Sequence, residues 1–229
     1  MTQALTIVSS MATRRSLAEI AADFAASTGW GVEVTSIGGV EVAKRVRAGE
    51  PFDVAVLAKD ALLKLVREGF VVEESVAVFA RSATALAVRA GAPRPATCDE
   101  LSLQQLLLTA RAVGVSSGPS GSLIRKLTAT GESTSPTTVR LQEAPPGVPV
   151  ARMIASGEVD AGFQQLSELL SEPGIDVVGC LPPSLVPLTE FAAGRIVSSM
   201  RANSADDLIR ALTSERSRAA LARYGLEPA

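Results

Sequence analysis

Two arginines stand in the first loop of the chain, at a position that suits a bound anion. An apolar run at residues 5–8 leads into Ser-Ser-Met-Ala-Thr-Arg-Arg, and an amphipathic segment follows. This pattern predicts a strand, a tight polar loop and a helix, whose N-terminal N–H groups are suited to bind an anion. The helix dipole disfavours cations at that end, so either an arginine serves an anion or both are solvated. The candidate ligand residues of this loop are Ser9, Ser10, Met11, Ala12 and Arg14.

A second loop, residues 116–122, has the sequence Ser-Ser-Gly-Pro-Ser-Gly-Ser and precedes another predicted helix. Glycines let backbone N–H groups approach a ligand, and hydroxyls supply further donors. The Gly-Lys-Ser/Thr of a phosphate-binding P-loop does not follow. An ordinary polar connection is the alternative, but the density of hydroxyls and glycines favours binding. The candidate ligand residues here are Ser117, Ser120 and Gly121.

Two further loops carry weaker signals. Gly38 and Gly39 follow a predicted strand, and a tight turn explains them as well as a ligand does. Gln164 and Gln165 come directly after the strand at residues 160–163, where they are either ligand-facing or structural, because buried amides need partners. Ligands of open α/β sheets lie beyond the carboxyl ends of strands. All four loops occupy such positions, and together they predict one site for a small anionic ligand.

The elements that position these loops alternate along the chain. The first third reads as three strand–helix pairs, and the middle repeats that order with a further strand at residues 175–178. Mostly apolar strands such as residues 52–57 are typical of a buried parallel sheet. The order therefore predicts an α/β fold with parallel sheets covered by helices.

The last part of the chain is predicted to hold two helices. Ser204 is interpreted as the cap of the first, with Asp206 and Asp207 in its opening turn. Tyr224 and Gly225 close the second.

The composition excludes several classes of protein. The chain has 229 residues and no apolar run near the ~20 residues that span a bilayer. A net charge of -2 and 3% aromatic residues give no basis for nucleic-acid binding. Without histidine there is no Ser-His-Asp triad or histidine metal site, and Cys98 and Cys180 form no metal motif. We predict no cofactor, no metal and no membrane insertion; the cysteines are thiols or a disulfide.

The first residues bear on location. Residues 1–4 lead directly into the first strand, without the basic and apolar regions of a signal peptide. This predicts a cytoplasmic protein as the sequence is written, or a periplasmic one if a signal peptide has been removed.

The order of these motifs resembles the substrate-binding proteins of molybdate-type ABC transporters. The resemblance covers residues 5–17, 38–49, 51–60, 114–121 and 157–169 and the late Arg-Tyr-Gly. It implies an α/β, two-lobed type 2 periplasmic-binding-protein fold, with mostly parallel sheets flanked by helices. It further implies one lobe at residues 1–81 and 193–229, a second at 82–192, and the ligand in the cleft between them. An ABC permease is an implied partner only if the protein is exported.

The chain departs from this family at the implied contacts. The family's first-loop serine falls at Ala12, its second-loop serine at Gly38 or Gly39, and its late tyrosine at Gln165. Further contacts fall at Ser120 and at Gly147 or Val148. Neutral donors hold a tetrahedral oxyanion well, whereas the arginine fork suits a carboxylate. The missing serines, together with Arg14, therefore favour an organic (poly)carboxylate over molybdate.

A branch of this superfamily that resembles aconitate isomerase matches residues 162–170 and 118–121 better. It implies an alternative function, a cytoplasmic isomerase that shifts a proton in a small unsaturated or keto acid. Such a reaction needs an anion clamp, for which Arg14 is the candidate, and a base. Glu41 and Glu143 lie near the loops, but each is also interpretable as a solvated surface carboxylate, so the catalytic residues stay unknown. A ligand-binding module from a transcription factor ranks last, because no DNA-reading domain is present.

Overall fold

The computed structural model of the protein describes residues 4–95, 98–129 and 140–229. The described chain forms two compact units. Unit 1 comprises the described residues up to Ser82 together with Glu190–Ala229, and unit 2 comprises those from Ala83 to Thr189. The junctions lie within three residues of the boundaries that the family resemblance implies.

The secondary structure alternates between strands and helices for most of its length. The strands are β1 Ala4–Ser10, β2 Gly31–Ile37, β3 Val54–Ala58, β4 Ala77–Ser82, β5 Thr84–Arg89, β6 Val113–Val115, β7 Leu141–Glu143, β8 Ala161–Gln165, β9 Ile175–Cys180, β10 Thr189–Arg195 and β11 Glu227–Pro228. The helices are α1 Arg14–Thr28, α2 Gly39–Arg47, α3 Lys59–Arg67, α4 Glu100–Thr109, α5 Pro119–Ala129, α6 Val150–Ser156, α7 Leu166–Leu169, α8 Ala202–Leu212 and α9 Glu215–Arg223. Among these described helices, none is both long and apolar enough to cross a lipid bilayer.

Unit 1 is built on a six-stranded sheet in the order β11-β4-β10-β3-β1-β2. Strand β1 is parallel to β2 and β3, whereas β10 runs antiparallel to β3. Helices α1, α8 and α9 pack on one face of the sheet and α2 and α3 on the other. Because β1, β2 and β3 are parallel, their carboxyl ends meet at one edge, which carries the first two candidate loops.

The amino edge of the same sheet is held by Asp53. Its Oδ2 accepts hydrogen bonds from the Thr6 N–H at 2.9 Å and from the Thr6 hydroxyl at 3.2 Å. Its Oδ1 accepts one from the Ser199 hydroxyl at 2.7 Å, and the Arg201 guanidinium lies 3.5 Å from Oδ2. The side chain of Asp53 is only 3% exposed, so this charge is buried but partnered.

The late Tyr224 joins the last helix to the first. Its hydroxyl donates to Oε2 of Glu19 at 3.0 Å, and Arg223 donates to Oε1 of the same residue at 2.7 Å. The Arg15 guanidinium lies 4.7 Å from the centre of the Tyr224 ring, a cation–π contact. The Arg-Tyr-Gly of the family resemblance is therefore structural here, and Tyr224 closes α9 as predicted.

Unit 2 contains a five-stranded sheet in the order β7-β6-β8-β5-β9. Strand β6 is parallel to β7 and β8, and β5 is antiparallel to β8 and β9. Gly114 and Gly162 are paired across β6 and β8, and Val150 of α6 packs onto both. A Cβ atom would lie 2.8 Å from Val150 Cγ1 at Gly114 and 2.5 Å from it at Gly162, so only glycines let α6 sit this close.

Three sequence predictions about the last part of the chain are wrong. Helix α8 begins at Ala202 with Arg201 as its N-cap residue, so Ser204 lies inside the helix and does not cap it. Asp206 accepts from Arg195 Nε at 2.9 Å and Asp207 pairs with Arg210, beyond the first turn. Both carboxylates serve ion pairs with cations rather than the helix dipole.

Candidate functional site

The first loop of unit 1 presents a buried hydroxyl that lacks a hydrogen-bond partner among the described residues. Ser10 ends β1 and precedes a 3₁₀ turn, Met11–Thr13, that runs into α1 at Arg14. The Ser10 carbonyl accepts from the Thr13 hydroxyl at 3.2 Å, but the Ser10 Oγ atom is buried and unpartnered. A buried polar atom left unpaired costs about 1–3 kcal/mol. Ser10 is therefore ready to bond a ligand placed at the start of α1.

The Gly38–Gly39 loop lies next to Ser10. Gly39 begins α2, and a Cβ atom on it would lie 3.9 Å from the Ser10 Cβ and 3.5 Å from Leu57 Cδ2. A Cβ atom on Gly38 would meet nothing within 4 Å, so a side chain would fit there. The structure thus brings together the first and second candidate loops. Ser9 is different, because its hydroxyl is 2.8 Å from that of Ser36 and the two bond to each other.

The two arginines have different surroundings. Arg15 lies over the Tyr224 ring, whereas Arg14 is exposed and forms no hydrogen bond or ion pair with another residue that the structure describes. No acidic residue stands in the first turn of α1 to offset either cation. Arg14 therefore has all five of its N–H donors available to an anion.

The serine-rich loop of unit 2 is held in shape by its own hydrogen bonds. The hydroxyls of Ser116 and Ser120 lie 3.0 Å apart, and the Gly118 N–H donates to Ser116 Oγ at 3.3 Å. Ser120 is buried, whereas Ser117 is exposed. Gly121 is in contact with the Ser116 carbonyl, where a Cβ atom would come within 1.8 Å of the oxygen. The loop thus depends on a glycine at 121 and offers its hydroxyls in a fixed arrangement.

The turn before α6 uses the amide that the resemblance assigns to the ligand. The Val148 N–H donates to the Pro145 carbonyl at 3.0 Å, and Gly147 has a left-handed φ of 78°. A ligand contact at Val148 would therefore have to replace or share this bond.

The carboxyl end of β8 gathers buried oxygen atoms without partners in the described part of the chain. Gln165 pairs with Thr84 across β8 and β5, and its Nε2 donates to the Thr189 hydroxyl at 2.9 Å. Gln164 faces the other side of the sheet and donates to Glu168 Oε2 at 2.6 Å. The unpartnered atoms are Thr84 Oγ1, Gln164 Oε1, Gln165 Oε1 and Ser167 Oγ.

Such atoms are few in native proteins. Thr84 Oγ1 and Gln165 Oε1 belong to residues paired across β5 and β8, which indicates a polar site completed there by a ligand or by water, whereas Gln164 Oε1 belongs to the other face of the sheet. Thr84 and Thr189 could not be found from the sequence, because each stands at the start of a strand with no motif around it. Only the pairing of β5 with β8 brings Thr84 beside Gln165.

The two carboxylates considered as bases both lie in exposed ion pairs. Glu41 is 3.7 Å from Lys44, and Glu143 is 3.0 Å from Arg125, with more than half of each carboxylate side chain exposed. These surroundings fit solvated surface carboxylates. Cys98 and Cys180 are thiols rather than a disulfide, and burial raises the pKa of the Cys98 thiol. Among the described residues no acidic or cysteine cluster could hold a metal ion.

Comparison with known proteins decides the family. The sequence profile of the bacterial extracellular solute-binding proteins matches residues 5–227. The chain belongs to this family.

The names of individual relatives differ in the activity or ligand that they state. This solute-binding protein is 31% identical over 229 residues to an aconitate isomerase of a Pseudomonas species, and the match covers 98% of this chain and 87% of the relative. The periplasmic molybdate-binding protein of Azotobacter vinelandii is 19% identical with a TM-score of 0.78, over 97% of this chain and 98% of that one. The sulfate-binding protein of Mycobacterium tuberculosis is 16% identical with a TM-score of 0.77, over 99% and 87%. These two structures show the fold.

The comparisons confirm the resemblance to the molybdate-type family and the α/β periplasmic-binding-protein fold. The structure also accounts for one of the serines that the resemblance assigns to the binding site and that this chain lacks. The Ala12 side chain is buried in the apolar core of unit 1, where a hydroxyl would be desolvated. The nearby hydroxyl is that of Ser10, two residues earlier.

Proposed function

We propose that this solute-binding protein binds a small organic anion with at least one carboxylate. The observation that carries the proposal is the Ser10 hydroxyl, which is buried, unpartnered and adjacent to Gly39 at the carboxyl edge of unit 1. A carboxylate oxygen there would accept from the Ser10 hydroxyl and from N–H groups at the helix start. The unengaged Arg14 would supply the bidentate fork.

A carboxylate suits this site better than molybdate does. Ala12, Gly38 and Gly39 offer no hydroxyl where the resemblance places serines. Each missing hydrogen bond to a charged ligand is worth roughly 1.5–3 kcal/mol, so molybdate affinity falls steeply. Arginine forks pair with planar carboxylates. The relative with 31% identity is named for aconitate, a carboxylate, which supports the same ligand class.

Isomerisation of the bound acid is the second candidate, favoured by that same relative over 98% of the chain. In a 1,3-proton shift a base removes a proton from the saturated carbon beside the C=C bond. The double bond moves by one carbon, and a proton returns to the former vinyl carbon. This role fits a cytoplasmic location, whereas a transport role requires export and an ABC permease.

Titration calorimetry with citrate, trans-aconitate, sulfate and molybdate tests the binding proposal. We expect one of the carboxylates to bind at micromolar levels or tighter and molybdate to bind at least tenfold more weakly. Ser10→Ala should weaken carboxylate binding, and Ser214→Ala, far from this edge on the loop before α9, serves as control. Sub-micromolar binding of molybdate, or no binding of any carboxylate, would contradict the proposal.

Proton NMR of trans-aconitate in D₂O separates the two candidate functions. An isomerase exchanges the methylene and vinyl protons for deuterium and produces the cis isomer. A binding protein shifts or broadens the signals without exchange beyond the protein-free rate. Exchange that persists unchanged in a heat-inactivated sample would exclude catalysis by the protein.

A further inference from the structure

We propose that Lys59 and Arg81 form a second carboxylate subsite on unit 1, which selects ligands that carry two or more carboxylates. This subsite rests on the proposed function, because it specifies which carboxylates bind at the same edge of the sheet. Neither residue was a candidate from the sequence.

Lys59 lies at the carboxyl edge of the unit 1 sheet, where the carboxylate site is proposed. Lys59 is the first residue after β3, and β3 is the direct parallel neighbour of β1, which ends at Ser10. Adjacent strands are about 4.8 Å apart, and residues within a strand rise about 3.3 Å each. The Leu57 side chain lies 3.5 Å from the Cβ position of Gly39, so β3 reaches the Ser10–Gly39 region two residues before Lys59. Lys59 therefore lies on the same carboxyl edge as Ser10 and Gly39, one strand away, and its ammonium is held by Glu190 of β10.

Residues of the neighbouring strands β10 and β4 form a charged cluster with Lys59, which consists of Lys59, Glu190 and Arg81. Phe191 of β10 pairs with Ala58, which sets Glu190 beside Lys59, and the Lys59 Nζ atom is 2.8 Å from Glu190 Oε2. Arg81 near the end of β4 approaches the other oxygen, with Nε 3.5 Å from Oε1. Hydrogen bonding and the charge of Lys59, followed by Arg81, lower the pKa of Glu190, which keeps it ionised. One carboxylate is thus shared by two cations.

The cluster retains donors that a ligand can use. Within these ion pairs two cations share the one carboxylate of Glu190, and Glu227 of β11 stands opposite Arg81 in the strand register. Lys59 has three N–H donors and Arg81 has five, and only one contact of each is to Glu190. Their side chains are 40% and 41% exposed, so water or a ligand reaches them. Asp60, the next residue of α3, lies about 100° further around the helix.

A purely structural role accounts poorly for this arrangement. An isolated exposed ion pair contributes about 0–1 kcal/mol, and the two pairs that share Glu190 are partly exposed. Lys59 also stands in the first turn of α3, where the helix dipole disfavours a cation. A ligand carboxylate bound by Lys59 and Arg81 would explain why a cation is kept at the start of α3.

The test compares ligands that share a five-carbon chain and differ in carboxylate number: tricarballylate, glutarate and pentanoate. Calorimetry at low salt should show tricarballylate binding at least tenfold tighter than pentanoate. Lys59→Met keeps the aliphatic stem and should weaken tricarballylate at least tenfold while changing pentanoate less than twofold. Lys64→Met, a change of an exposed lysine on the same helix, should change neither. Thermal melts confirm that each variant is folded.

Glu190→Gln supplies an opposite expectation. Without the Glu190 carboxylate, Lys59 and Arg81 lose their shared ion-pair partner, so tricarballylate should bind several-fold tighter. A structural ion pair alone predicts no gain. Equal affinities of wild type and Lys59→Met for every ligand would overturn the subsite and leave the carboxylate function intact. Failure of the wild type to bind any carboxylate would overturn the proposed function and the subsite with it.

Discussion

Gly121 lies directly against the carbonyl oxygen of Ser116, which a Cβ atom at position 121 would approach to 1.8 Å. Gly121→Ala must therefore push residue 116 away and disrupt the loop. We expect a loss of about 1–3 kcal/mol in the free energy of unfolding, as for overpacked sites. Chemical denaturation measures this loss.

The same loop offers a matched control for that substitution. A Cβ atom on Gly118 would meet only the Ser116 hydroxyl, at an ordinary 3.6 Å. Gly118→Ala should leave stability within about 0.5 kcal/mol of wild type, as for sites away from packing constraints. If both alanine variants behave alike, the close contact at Gly121 does not shape the loop.

Arg14 and Arg15 are adjacent but should differ in effect. Arg14→Ala should weaken carboxylate binding by about 1.5–3 kcal/mol, the range for a hydrogen bond between charged groups, and leave stability unchanged or slightly higher. Arg15→Ala should spare binding and cost about 0.5–1 kcal/mol of stability through the lost contact with Tyr224. Calorimetry and denaturation on both variants check this. Loss of binding only in Arg15→Ala would mean that the wrong arginine is assigned.

Asp53 supports the fold from the edge of the sheet opposite to the proposed site. Asp53→Ala leaves the Thr6 N–H and the Ser199 hydroxyl without their acceptor, so the free energy of unfolding should fall by about 2–4 kcal/mol. Ligand affinity at a temperature where the variant is folded should not change. Asp23→Ala removes an exposed carboxylate and should cost little. An affinity loss in Asp53→Ala that exceeds its loss of folded protein would show that the two edges are coupled.

Asp160 should make part of the stability dependent on pH. A hydrogen bond from the Arg111 side chain lowers the pKa of Asp160 below its usual value of 3.8. The folded pKa lies below the unfolded one, so the stabilisation is complete above the unfolded value and is lost as the pH falls through the folded value. Between pH 5 and 3 the free energy of unfolding should therefore fall less in Asp160→Asn than in wild type. Identical slopes in the two proteins would contradict the pairing.

Local periodicity predicts the first third of the chain well. The amphipathic pattern predicts a helix at residues 60–68, and α3 spans Lys59–Arg67. Strand β10 was not predicted, because its alternation is weak and its partner β3 lies more than 130 residues earlier. The pairing is decided by contacts that no local window contains.

The residues of the candidate site also divide into those that local sequence predicts and those that depend on contacts between distant segments. Arg14 could be found from its place in the first turn of a helix, whereas the contact of Arg15 with Tyr224 depends on the packing of α9 against α1. Ser10 is one of the candidates of the first loop, but the burial and the missing partner of its hydroxyl could not be predicted, because they depend on how α2 packs. Thr84 and Lys59 become candidates only once strands distant in sequence are paired.

Unit 1 is discontinuous: β10, which lies between β3 and β4 in its sheet, comes from the last part of the chain. During synthesis, β4 therefore cannot pair with its sheet neighbours β10 and β11 until the chain is nearly complete. Unit 2 is one continuous stretch, from Ala83 to Thr189, and has no such delay. Since domains fold as units during synthesis, unit 2 should be completed before unit 1, although the synthesis of unit 1 begins first. The proposed carboxylate edge, with Glu190 as its last contribution, is among the latest features to form.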